Sequence, residues 1–334
     1  MKNKSILHTA FFVVAAIIIA IFSLLNSFAS SNRSSLISDS FIYDEFEIKY
    51  RAYLPDDYKE KRYPVVLYLH TAGEIGNDNE RQLEYGLPIL LFEYGYIDEY
   101  PAIYLFPQSP YGSKWVDVEW NSGVYSTDSI AETKAIKAAF RLVDYFIENY
   151  NGNEERLYVT GISMGGYGTW DLLARHPGIF AAAVPICGGA DPEMAENISK
   201  TPVRAYHGDS DDIVPPSGDI AVNNALKGIN ADAELILISG GNHFSIWPEA
   251  YFDSLDWMFS QRKSSEANDN AVVTETNTVE IPETDSTVKS DKEISKTALL
   301  IIVSAILLFF LCFIIAYKLI IYVYVSNRNR KTEK

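Results

Sequence analysis

The segment Gly161-Ile162-Ser163-Met164-Gly165-Gly166 sets a serine between small residues, directly after the apolar run Leu157-Tyr158-Val159-Thr160. A buried strand that ends in G-x-S-x-G and turns sharply into a helix lifts the serine hydroxyl above the sheet edge. The helix N-terminus then lies where negative charge would develop on an attacked carbonyl. That is the chemistry of nucleophilic acyl transfer, and it needs two partners. A serine hydroxyl becomes a useful nucleophile when a base takes its proton, and the base needs a carboxylate to orient it and to stabilise its charged form.

Where such a turn occurs, the partners follow in the order serine, acid, histidine. The chain has five histidines. His8 lies in a candidate export signal, His70 and His207 precede small residues at predicted strand ends, and His176 ends a predicted helix. His243, in Gly240-Gly241-Asn242-His243-Phe244, is the one that follows a late strand with acids upstream. The acid belongs after the preceding strand, in His207-Gly208-Asp209-Ser210-Asp211-Asp212-Ile213-Val214-Pro215, which holds three aspartates in four residues. Position alone leaves Asp209, Asp211 and Asp212 open. A helix-capping turn or a cation site would also use such a cluster, though a cation site normally brings further oxygen ligands.

The elements that must position these residues alternate between strand and helix. Residues 64–70, 102–107, 157–160, 181–186, 203–206 and 234–238 are short apolar runs that predict strands, and 46–53 alternates like an antiparallel edge. Apolar residues at helical spacing predict a helix over 128–150, with Thr127 or Asp128 as N-cap, and others over 165–176, 217–226 and 248–259. Continuously apolar strands between helices mean a mostly parallel sheet covered on both faces. Sites in such sheets gather beyond the carboxyl ends of the strands, and every motif above falls at such an end.

Both ends of the 334-residue chain read differently from its middle. Met1-Lys2-Asn3-Lys4, an apolar run and Ser27-Phe28-Ala29 predict a signal peptide over 1–29, or an N-terminal anchor if it is not cleaved. The catalytic domain is expected over 36–262. Residues 263–296 are rich in Ser, Thr, Asp, Glu, Asn and Lys, and predict a disordered tether. A transmembrane helix is expected over 298–325 and a basic cytoplasmic tail over 326–334, so the positive-inside rule puts the domain between them outside the cell, on a single-pass cell-membrane protein. Ile281-Pro282-Glu283-Thr284-Asp285 resembles a wall-sorting signal, but Asp285 stands where such signals carry glycine, so membrane anchoring is the expectation. A net charge of −16 argues against nucleic acid as a partner. The two cysteines, Cys187 in a predicted strand and Cys312 in the predicted span, are not placed to pair. No Cys/His spacing of a structural zinc site is present, and neither a metal nor a cofactor is expected.

His70-Thr71-Ala72-Gly73-Glu74-Ile75-Gly76-Asn77-Asp78-Asn79, Pro107-Gln108, the serine turn, the 207–215 stretch and the His243 loop together resemble the α/β-hydrolase carboxylesterases. The likeness is to the dienelactone hydrolase, phospholipase/carboxylesterase and polyhydroxybutyrate-depolymerase-like group, over roughly residues 45–260. It implies an α/β-hydrolase fold with Ser163, Asp211 and His243 as triad. In that group the stretch after the late strand reads H-G-x-x-D-x-x-V-P, which selects Asp211, with Asp212 next. The group's H-G-x-G turn implies an oxyanion hole from the backbone amides of Ala72 and Met164. Thr71 replaces the first glycine, which constrains the turn if that position takes a positive φ.

The function expected is hydrolysis of a small-molecule or polymer ester. Two other readings are a prolyl-oligopeptidase-like peptidase, which shares the triad order but has an N-terminal propeller for which this chain has no room, and a non-catalytic surface-binding domain. The loop aromatics Tyr85, Phe92, Tyr94, Tyr96, Tyr111, Trp115, Trp120 and Tyr125, with Trp170, are expected mainly to pack, a few of them lining an acyl or sugar site.

Overall fold

Strands such as Val65-Val66-Leu67 are apolar at every position because they bury both faces, and that fixes where they lie. A computed structural model describes residues 36–263. The expected signal peptide, transmembrane helix and basic tail, and all of the expected tether but its first residue, lie outside the described residues. Among the described residues no helix is long and apolar enough to cross a membrane.

Eight strands form one sheet in the order β1-β2-β4-β3-β5-β6-β7-β8. They are β1 (Ile37–Tyr43), β2 (Phe46–Tyr53), β3 (Tyr63–Leu69), β4 (Ile103–Gln108), β5 (Gly152–Ile162), β6 (Ala182–Ile186), β7 (Val203–Gly208) and β8 (Ala233–Ile238). β2 runs against both its neighbours, β1 and β4, and every other neighbouring pair is parallel. Along β3, Val65, Leu67 and Leu69 join one hydrophobic cluster while Val66 and Tyr68 join the other. Alternation of side chains along a strand thus feeds two cores.

The first core is closed by α2 (Lys134–Tyr150), α3 (Met164–Arg175) and α5 (Ser217–Gly228), the second by α1 (Leu87–Phe92) and α6 (Trp247–Ser260), with a single-turn helix α4 (Ala195–Ile198) beside the first. At the start of β5 the chain's later part is tied down. Arg156 Nη2 donates to Phe259 O (2.7 Å), Tyr158 Oη to Gln261 O (2.8 Å) and Lys263 N to Glu155 O (2.9 Å).

Four details differ from expectation. The edge of the sheet is β1, whose polar residues conceal its strand character, so the 46–53 strand is second. α2 begins six residues later than expected, because Thr133, whose Oγ1 accepts from Ile136 N (3.2 Å), is the cap; Thr127 instead donates its amide to Asp191 Oδ2. Cys187 lies just past β6, buried and free, with φ +49°. Thr71 has φ −78° and ψ 176°, ordinary extended backbone, so it is unstrained where the group has glycine.

Candidate active site

Ser163 sits between β5 and α3 with φ +57° and ψ −117°, a conformation that costs a non-glycine residue about 1–3 kcal/mol. The surroundings hold it there. Ser163 N donates to Ile186 O (2.8 Å), and Ser163 O accepts from Tyr167 N (3.0 Å), the first turn of α3. Leu172 and Leu173 further along α3 are fully buried, each worth about 1.5–3 kcal/mol, enough to offset the strain. Two glycines make the turn possible. A Cβ on Gly161 would lie 2.4 Å from Gly165 O, and one on Gly165 would lie 1.8 Å from Leu69 O.

The three side chains singled out in the sequence meet at the carboxyl ends of β5, β7 and β8. Ser163 Oγ lies 2.8 Å from His243 Nε2, and His243 Nδ1 lies 2.7 Å from Asp211 Oδ2. A carboxylate only accepts, so Nδ1 carries the proton and Nε2 is left to accept from the serine hydroxyl. Asp211 Oδ1 accepts from the amides of Ile213 and Val214, both at 2.9 Å. Burial alone would raise the Asp211 carboxyl, but His207, His243 and the two amides hold it far below the ordinary carboxylate range. The neighbouring acids have other roles. Asp209 Oδ1 accepts from Gly240 N (2.8 Å) and ties β7 to the loop after β8, while Asp212 is exposed.

Behind Asp211 stands a pair that the sequence reading passed over. His207 Nδ1 lies 2.7 Å from Asp219 Oδ2, and Nε2 lies 3.0 Å from Val214 O and 3.3 Å from Asp211 Oδ2. Trp170 Nε1 donates to Asp219 Oδ1 at 2.7 Å. The ligand-type atoms of Cys187, His207 and Asp211 lie within 4.8 Å of one another. They do not make a metal site, since the His207 nitrogens and Asp211 oxygens are engaged by protein groups and burial holds the Cys187 thiol protonated.

The turn after β3 faces the serine. Thr71 Oγ1 accepts from Gly73 N (3.2 Å) and Glu74 Oε2 accepts from Thr71 N (2.9 Å), a reciprocal capping box. His70 Nδ1 donates to Thr71 O (2.6 Å) and Nε2 accepts from Ser109 N (2.9 Å), so His70 is neutral, and burial pulls it down to about 4. Trp115 Nε1 donates to His70 O (3.0 Å). Within the described residues neither Ala72 N nor Met164 N is engaged by an acceptor. Ala72 lines the same cleft as Ser163, and Met164 is the first residue of α3.

That cleft has a volume of about 250 Å³ and is walled by Thr71–Glu74, Tyr85, Trp120, Ile162, Ile213, His243 and Phe244. Tyr85 Oη donates to Phe244 O (3.0 Å), joining the wall to the His243 loop. Burial raises the Glu74 carboxyl at its edge. A second hollow of about 360 Å³ adjoins it across Trp120, with Lys114, Asp117 and Thr133 in its wall. Of the other loop aromatics, Phe92, Trp115 and Trp170 are core, and Tyr94 and Tyr111 are exposed.

A mostly parallel sheet flanked by helices, with a serine turn after β5, an acid after β7 and a histidine after β8, defines an α/β-hydrolase. Within that class the chain belongs to the dienelactone hydrolase family, whose sequence model matches residues 51–275. Among curated proteins it is similar to acetylxylan esterase A of Emericella nidulans, 34% identical over 98 residues that cover 28% of this chain and 29% of that protein. It is also similar to feruloyl esterase B of Thermothelomyces thermophilus, 27% identical over 150 residues covering 45% and 47%. The chain therefore spans less than half the length of these relatives. Among solved structures, a thermostable esterase is 29% identical with a TM-score of 0.61, over 69% of this chain and 64% of that one.

Proposed function

We propose that the chain is a serine esterase that cleaves carboxylic esters through an acyl-enzyme on Ser163. The observation that carries this reading is the unbroken line from Ser163 Oγ through His243 to Asp211, at 2.8 and 2.7 Å, beside two unengaged amides. His243 takes the serine proton as Oγ attacks the ester carbonyl, and Asp211 stabilises the imidazolium that results. The amides of Ala72 and Met164 receive the oxyanion. His243 then gives its proton to the leaving alcohol and next deprotonates the water that releases the acid.

The cleft is narrow and aromatic, which suits a short or flat acyl group, and the hollow beyond Trp120 offers charged and hydroxyl groups to the alcohol side. With relatives named for acetylxylan and feruloyl esters, the substrate class is an acetyl or hydroxycinnamoyl ester carried on a polysaccharide. The 298–325 segment anchors the domain in the cell membrane with its cleft outside, after removal or retention of the 1–29 segment. No cofactor takes part in these steps. The test is labelling of Ser163 by a fluorophosphonate probe, followed by a panel of acetyl, feruloyl and long-chain esters alongside peptide amides. Labelling with turnover of acetyl or feruloyl esters is expected; turnover of amides alone would make the protein a peptidase, and no labelling would make it a binding domain.

A further inference from the structure

His207 is fully buried, and the serine–histidine–aspartate line described above does not need it. Its partners nonetheless settle its charge. Nδ1 faces the Asp219 carboxylate at 2.7 Å, and Nε2 faces the Val214 carbonyl at 3.0 Å with Asp211 Oδ2 at 3.3 Å. A carbonyl and a carboxylate can only accept, so both ring nitrogens must donate, and a ring that donates twice is an imidazolium. A proton shared between Asp219 Oδ2 and Nδ1 rests on the ring, because an imidazolium is a weaker acid than a carboxylic acid by about 2–3 pH units and the Trp170 Nε1 donor on Asp219 Oδ1 favours the ionised carboxylate further. His70 makes the contrast, with one acceptor and one donor on its two nitrogens and hence a neutral ring.

The same Asp211 oxygen, Oδ2, therefore serves two histidines, His243 at 2.7 Å and His207 at 3.3 Å. We infer that His207 is a positioning residue of the site, a permanent buried cation that keeps Asp211 ionised and limits how firmly that carboxylate holds the charged form of His243. The inference rests on the reading of His243 as the base. The groups around the cation come from every element packed on it: Asp219 from α5, Asp211 from the loop after β7, His243 from the loop after β8, Cys187 from the end of β6, and Tyr167 from α3. Burial holds the Cys187 thiol and the Tyr167 phenol in their neutral forms, which leaves two carboxylates and His207 to set the field. Burial pulls His207 down, but Asp211 and Asp219 more than reverse this and lift it to about 10, in keeping with the hydrogen-bond count.

A purely structural His207 would act through its hydrogen bonds, and a charged one through its field. Asp219→Asn separates the two. The amide oxygen can still accept from Trp170, and the amide nitrogen can donate to His207 Nδ1. His207 then needs a single proton, on Nε2, for Val214 O. Each hydrogen bond survives and the cation is lost. With the cation gone, Asp211 holds the protonated form of His243 more tightly, and activity is lost at a higher pH on the acid side. In kcat/KM against pH on an activated acetyl ester, the acid limb should rise in Asp219→Asn. It should rise further, by about 1–2 pH units, in His207→Gln, which leaves Asp219 charged.

A second measurement needs no activity. In the full-length protein labelled with 15N-histidine, and assigned against His207→Gln, both His207 ring nitrogens should be protonated at pH 8. A singly protonated His207 in the wild type, or an acid limb that stays in place in His207→Gln, overturns the inference. If the wild type hydrolyses no ester, it is the esterase reading that fails, and the nitrogen shifts still decide the charge of His207.

Discussion

Gly165 and the Leu69 carbonyl leave no room for a side chain between them: a Cβ on Gly165 would sit 1.8 Å from Leu69 O and 3.0 Å from His70 O. The first turn of α3 is thereby seated on the end of β3, which brings the Ser163 turn and the 71–74 turn to one cleft. Both atoms that a methyl would strike are backbone, so neither can swing aside. Gly165→Ala is expected to cost 3 kcal/mol or more, at or above the top of the usual range of about 1–3 kcal/mol for overpacking, and to abolish activity. Urea unfolding together with ester turnover checks this; an alanine variant of wild-type stability would refute the seating argument.

Ser163→Ala should lower ester turnover on the order of 10^4-fold or more. The backbone adds a comparison. At φ +57° alanine inherits the strain of serine and glycine does not. Ser163→Gly should therefore melt above Ser163→Ala, at roughly 2–4 °C per kcal/mol relieved for a domain of this size. Both variants should be equally inactive. Equal melting temperatures would mean that the turn stores no strain.

Three neighbouring aspartates should behave differently. Asp211→Asn should drop kcat by about 10^4-fold, because an amide opposite Nδ1 favours the wrong tautomer of His243. Asp212→Asn, on an exposed side chain, should leave turnover within about twofold. Asp209→Asn should loosen the loop that carries His243 through its bond to Gly240 N and lower thermal stability by about 1 kcal/mol. Steady-state kinetics and melting curves on the three variants separate these outcomes.

His70 gives stability a pH dependence with a definite sign. Its ring is neutral in the fold, held down to about 4 by burial, against 6.5 for an exposed histidine. Between these values the unfolded chain binds more protons than the folded one, so stability rises with pH. The contribution is complete above pH 6.5 and is lost as pH falls toward 4, by about 2 kcal/mol at pH 5. Urea titrations at pH 7 and pH 5 should show this loss in the wild type and not in His70→Gln. An equal loss in both would assign the acid sensitivity to other groups.

Placement is tested by an epitope tag after Lys334. In the proposed arrangement the full-length protein keeps the tag, leaves the envelope with detergent alone, and its domain is digested by protease added to intact cells. A protein released by wall digestion without its tag would point to sorting at Ile281-Pro282-Glu283-Thr284 instead, and an untagged domain in the medium to secretion.

The sequence made the position of Ser163 legible because G-x-S-x-G after an apolar run has few other uses, and chain order then singled out His243. Asp211 was harder. Asp209, Asp211 and Asp212 are chemically alike and adjacent, and they are told apart by which one turns inward under the His243 loop. The His207–Asp219 pair was not legible at all. It depends on the first turn of α5 lying over the end of β7, a packing relation between residues that each look unremarkable locally. For the same reason the start of α2 was misplaced: Thr127, Asp128 and Thr133 are all good caps, and the choice was made by Asp191, remote in sequence, which takes the Thr127 amide. The polar residues of β1 hid its pairing with β2, which the sequence pattern of β2 alone could not report.

The knot of hydrogen bonds at the start of β5 pins residues 259–263 to the end of that strand remote from Ser163. Lys263 N meets Glu155 O near one end of that strand, and Ser163 follows its other end, about 25 Å away at roughly 3.3 Å per residue. Lys263 thus lies at the pole opposite the cleft. In the proposed arrangement, a domain held at Lys263 keeps its mouth at the far pole of the sheet, open to an ester on a polymer too long to enter bodily.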